Sequence, residues 1–123
     1  MRKAAIYCRT ADIGSDISLQ RDRALAYAHY NGYQVVGIFE DVGISGHTVP
    51  ESRPQFAAMI KAAEKGDMDM VLVNNIDQVG PMPDALDAIE RLRGLGVILD
   101  ILNDLKGGVK VVLQPIEAGN NKR

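Results

Sequence analysis

Arginine is the side chain best shaped to hold a phosphate or carboxylate, because its planar fork presents paired donors to paired oxygens. This chain sets two arginines beside apolar runs. Arg9 closes the run Ala4-Ala5-Ile6-Tyr7-Cys8, and Arg53 ends a glycine-containing loop that begins at Asp41 and carries Ser45. Asp77 follows a third run, Met70-Val71-Leu72-Val73. If each run is a strand, all three loops gather at one end of a sheet, and their shared chemistry is the capture of an anion. Alternation along the first strand sets Tyr7, Arg9 and Ala11 on one side and Cys8 and Thr10 on the other. A structural reading stands beside the chemical one. Arg9 and Arg53 can pair with Asp41 or Asp77 as salt bridges, Tyr7 can be a core tyrosine with a bonded hydroxyl, and Asp77 can cap a turn.

The elements that must position these residues follow from pattern and punctuation. Strands are expected at residues 3–8, 33–40 and 69–74. Helices are expected at 18–31, with a stripe of Leu19, Ala24, Leu25, Ala28 and Tyr30, and at 53–65, with Phe56, Met59, Ile60 and Ala63. A third helix starts at Pro83 with Leu86, Ile89 and Leu92 facing the core. Residues 41–50 read as a mobile loop. Residues 97–102 read as a fourth strand, because Gly94 and Gly96 would each cost a helix roughly 1 kcal/mol. Gly107-Gly108 then turns the chain into a last strand at 109–115. The alternative is an extra helix, since 99–105 echoes 86–92. The fold class is therefore α/β, three layers, with a four-stranded mainly parallel sheet, helices on both faces and an antiparallel edge strand. Ligands in such folds bind outside the carboxyl ends of the strands.

Bulk properties bound the function. At 123 residues and 46% hydrophobic content the chain fits one domain, expected over residues 1–117, with a frayed tail at 118–123. Its net charge of −2 disfavours a surface that binds nucleic acid all over, so any phosphate contact must be local. One cysteine, Cys8, excludes an internal disulfide, and His29 and His47 without further cysteines give no metal site. With no signal peptide or membrane span in the sequence, the expected compartment is cytoplasmic.

The ordered set Tyr7-Cys8-Arg9, Ser18-Leu19-Gln20, Asp41-Val42-Gly43-Ile44-Ser45-Gly46, Arg53-Pro54 and Asp69 to Val73 leading to Asp77 and Gly80 resembles the catalytic domain of serine site-specific recombinases, the resolvase and DNA invertase group. The resemblance covers about residues 3 to 102. It implies a reaction in which a serine attacks a DNA phosphodiester without metal or other cofactor, while arginines stabilise the charge that develops. Carried across, the first arginine falls on Arg9 and the loop arginine on Arg53, which become the expected phosphate contacts. The nucleophile falls on Ala11. The third loop of the family has a lysine or similar base, an Asp-Arg pair and a further arginine, where this chain has Asn75, Asp77-Gln78 and Pro81.

The family-equivalent positions are thus Tyr7, Arg9, Ala11, Asp41, Arg53, Asp77, Gln78 and Pro81, with no intact catalytic set. Losing one preorganised donor typically costs about 100- to 1,000-fold in rate. The resemblance therefore implies a recombinase-like domain that no longer reacts and works through protein contacts, as a homo-oligomer or beside an active recombinase. The family's long dimerisation helix and helix-turn-helix domain are not expected in these residues. Two arginines as phosphate contacts would give a DNA-binding salt slope of about −2 at most. Two alternatives stay open: residual strand cleavage through Ser15 or Ser45, and binding of a small phosphate ligand in the same crevice.

Overall fold

The strand that carries Tyr7 and Arg9 runs through the interior of the protein. In the computed structural model, which describes residues 1–102 and 112–113, β1 (Lys3–Thr10) is buried from Ala4 to Cys8 and flanked on both sides. It pairs in parallel with β2 (Gln34–Val42) along its whole length, with one bulge at Ala4/Ala5. On its other side it pairs with β3 (Met70–Val73) only from Ala4 to Ile6. β3 then pairs in parallel with β4 (Ile98–Ile101), and β4 meets β5 (Val112–Leu113) antiparallel. The sheet order is β2-β1-β3-β4-β5.

Helix α1 (Ser18–Tyr30) covers one face of the sheet; α2 (Pro54–Glu64) and α3 (Asp84–Gly94) cover the other. Alternation in β1 builds both cores. Ala5 and Tyr7 join Phe56, Met59 and Leu92, while Ala4, Ile6 and Cys8 join Ala24 and Ala28. Each βαβ crossover leaves a helix on a set side of the sheet because right-handed connections are strongly favoured. The chain moves one way from β1 to β2 and the other way from β2 to β3, so the sheet reverses its order between β1 and β3. That switch point is where a crevice opens in such folds.

Two expected helix faces are corrected. In α1 Leu19 is 58% and Tyr30 89% exposed, and the buried contacts are Ala24 and Ala28. In α3 Leu86 is 51% exposed, Ile89 is only partly buried, and Ala85, Ala88 and Leu92 face the core. The rest of each expected stripe is kept, with Ala24, Leu25 and Ala28 of α1 and Ile89 and Leu92 of α3 against the core, and in both helices small residues four or three apart let the helix lie close to the sheet. Residues 98–101 form a strand, against the extra-helix alternative there. The Gly107-Gly108 turn, the remainder of the last strand and the tail lie outside the described residues.

Candidate functional site

Arg53 immediately precedes α2 and is wholly buried. A buried guanidinium needs a partner for each of its five N–H donors. Here Nε donates to the Thr48 carbonyl at 3.0 Å. Nη1 donates to the carbonyl of Gln78 at 2.7 Å and to the Tyr7 hydroxyl at 3.3 Å. Nη2 donates to the carbonyls of Val79 at 2.7 Å and Gly46 at 3.2 Å. Arg9, half-buried at the end of β1, repeats the pattern. It donates from Nε to Gln78, from Nη1 to Ile44 and from Nη2 to Asp77, each time to a backbone carbonyl, at 3.2, 2.8 and 2.8 Å. Partial burial and the neighbouring Arg53 charge both lower the Arg9 pKa.

Neither arginine forms the salt bridge with Asp41 or Asp77 that the structural reading expected; backbone carbonyls take that role. The loop after β2 is bonded to both arginines, with Arg9 holding Ile44 and Arg53 holding Gly46 and Thr48. Two glycines allow the close approach of these loops, Gly46 to Arg9 and Gly80 to the Gly46 carbonyl. A Cβ on Gly46 would stand 2.9 Å from Arg9 Nη2. Gly80, at φ +146°, would set a Cβ 3.3 Å from the Gly46 carbonyl oxygen and 3.4 Å from Arg53 Nη2.

Asp41 works on the same cluster from β2. Its Oδ2 accepts from the Tyr7 hydroxyl at 2.9 Å and the Phe56 amide at 3.0 Å, and Oδ1 accepts from the Gln55 amide at 2.9 Å. It thus caps the start of α2, whose own N-cap position, Arg53, offers no acceptor. Tyr7 stacks edge-on against Phe56 at 5.0 Å, and burial drives its phenol pKa well above the usual range. The core-tyrosine reading of Tyr7 holds. Asp77 is exposed, and the 3₁₀ turn that holds it, Ile76–Gln78, is capped by Asn75, whose Oδ1 accepts from the Asp77 amide at 2.9 Å.

Of the remaining expected positions, Ala11 and Pro81 are exposed, and Gln78 is half-buried and contributes its carbonyl to both arginines. Thr10 is 8% exposed and belongs to the Cys8 side of β1. Ser15 and Ser45 are exposed, and the Ser45 hydroxyl accepts from the His47 amide at 3.1 Å. Gln20 was legible as a family match opening a helix, with no role attached. Its side-chain amide brackets the Arg9 backbone, accepting from the Arg9 N–H at 3.2 Å and donating to its carbonyl at 3.0 Å. Asn74 in turn donates to the Gln20 carbonyl at 2.8 Å.

A family model described as "Resolvase, N terminal domain" matches residues 4–111. The chain belongs to this resolvase family. Among solved structures, the N-terminal catalytic domain of TP901-1 integrase is similar to this resolvase domain at 30% identity and a TM-score of 0.77, over 84% of this chain and 78% of that one. A resolvase family site-specific recombinase from Streptococcus pneumoniae is similar at 26% identity and TM-score 0.72, over 89% and 76% of the two chains. The C-terminal catalytic domain of ISC1926 TnpA, an IS607-like serine recombinase, gives 25%, 0.72, 83% and 70%. None of the curated proteins compared matches. This is a resolvase-like recombinase domain related to DNA recombination, and no helix among its described residues is long and apolar enough to cross a membrane.

Proposed function

We propose that this resolvase domain does not cleave DNA and acts through protein contacts, by associating with a recombinase and altering its assembly. The observation that carries this reading is the fate of Arg53. The guanidinium is wholly buried and spends every donor within the protein, all but one of its bonds going to backbone carbonyls. A phosphate could engage it only by breaking bonds that hold two loops together. Position 11 adds to this, because the alanine methyl has no oxygen with which to attack phosphorus. At Gln78 and Pro81, where the family has arginines, no side-chain cation stands ready to stabilise a pentavalent phosphorus.

The reading is tested by mixing the protein with an active recombinase of the family, such as the TP901-1 integrase, and following co-elution and recombination rate. A complex, or a changed rate, is expected. Absence of both overturns it. A nicked suicide DNA substrate tests the inactive half of the reading. No covalent protein–DNA adduct is expected from the protein or from Ala11→Ser, and an adduct from the unaltered protein would mean that an exposed serine, Ser15 or Ser45, has taken over the attack.

A further inference from the structure

The seam where the 3₁₀ turn Pro50–Ser52 and α2 meet α3 is unevenly neutralised. At one end Arg91 of α3 bridges two carboxylates of the facing elements, Glu64 at 2.6 Å and Glu51 at 3.5 Å. One turn earlier on α3 the seam opens into a groove of about 240 Å³ lined by Val49, Pro50, Glu51, Asp84, Asp87 and Ala88. Its floor is apolar and its rim carries Asp84 and Asp87, which form no ion pair among the described residues. Val49 is 55% exposed, and the approach to α3 and its first turn also expose Met82 at 56% and Leu86 at 51%.

A groove with an apolar floor and an acidic rim fits a side chain with an apolar stem and a cationic head, which describes arginine and lysine. The protein already seats one such side chain in this seam, its own Arg91, against the same Glu51. We infer that the groove docks an arginine- or lysine-bearing apolar segment of a partner protein, the external cation taking beside Asp84 and Asp87 the place that Arg91 takes beside Glu51 and Glu64. The inference rests on the protein-contact reading above and names the chemistry of the partner. DNA is the opposite case, since two carboxylates without an ion-pair partner among the described residues repel its backbone.

The probe is a fluorescein-labelled peptide of alternating leucine and arginine, with its leucine–glutamate counterpart as control, followed by fluorescence anisotropy. Binding of the cationic peptide alone is expected. The double variant Asp84→Asn/Asp87→Asn should weaken it about tenfold, as two partly exposed ion pairs would. Val49→Lys, which supplies an internal cation at an exposed position, should weaken it as well. Asp22→Asn/Asp67→Asn, which removes the same charge from exposed positions elsewhere, should leave binding unchanged. No binding, or equal loss in both double variants, overturns the groove assignment. If the protein co-elutes with a recombinase and Asp84→Asn/Asp87→Asn co-elutes equally well, the groove is wrong while the protein-contact reading stands. Groove-dependent peptide binding supports the groove even where recombinase association fails.

Discussion

The Tyr7 hydroxyl lies 2.9 Å from Asp41 Oδ2, and through that one carboxylate the central strand is joined to the first turn of α2. Tyr7→Phe removes the hydrogen bond to the Asp41 carboxylate and the acceptor of one Arg53 Nη1 bond, and should cost at least about 1.5–3 kcal/mol in urea unfolding. Asp41→Ala also strips the cap from Gln55 and Phe56 and should cost more than Tyr7→Phe. Equal losses would show that the cap contributes nothing.

Arg53 and Arg9 make the same kind of bond at different depths. Arg53→Ala leaves several buried carbonyls without donors, and a loss of at least about 3 kcal/mol is expected. Arg9→Ala, at a half-buried site where water can replace the guanidinium, should cost clearly less. Chemical denaturation of the two variants side by side checks the ranking.

Gly80 holds a backbone conformation that side chains rarely adopt and lies against the Gly46 carbonyl. Gly80→Ala is therefore expected to destabilise by about 1–3 kcal/mol. Gly32 is also at positive φ, but nothing lies within 4 Å of the place a Cβ would take, so the same change there should cost less. Thermal melts of both variants check the ranking.

Asp100 sits on β4, 2% exposed, where burial pushes its carboxyl up to about 6 and the Arg2 charge partly offsets this. The folded state therefore holds this proton more tightly than the unfolded chain, whose aspartates titrate near ~4. Between pH ~4 and ~6 the native state binds more protons, so this group's contribution makes stability fall as pH rises and level off above the folded pKa. Asp100→Asn keeps an acceptor for the Tyr27 hydroxyl, which donates to Asp100 Oδ2 at 3.0 Å. It should therefore be more favourable to stability at pH 8 than at pH 4, as measured by denaturation at the two pH values.

The parallel sheet, the side of β1 that carries Tyr7 and the boundaries of α2 could be read from the sequence because alternation, apolar runs and glycine stops are local signals. The partners of Arg9 and Arg53 could not. Their acceptors are backbone carbonyls of Ile44, Gly46, Thr48, Asp77, Gln78 and Val79, and a carbonyl is present at every residue, so nothing in the residue types marks those six. Only Gly46 and Gly80 left a trace, as glycines whose missing side chains clear space for the Arg9 guanidinium and for the Gly46 carbonyl. The inner face of α3 was read only in part, for a related reason. Leu92 was expected inward, but alanine is a weak hydrophobic marker, and Ala85 and Ala88 make the other close contacts.

β1 extends past the end of β3, so on that side the backbone of Arg9 has no neighbouring strand, and the Gln20 amide bonds to both its N–H and its carbonyl. A side chain from α1 thereby acts as a splint for the strand tip at the switch point of the sheet. The aim of Arg9 is consequently set from both faces of the protein, its guanidinium by loops on the α2 side and its main chain by a helix on the other. Repacking α1 would turn Arg9 without touching a single atom of its side chain.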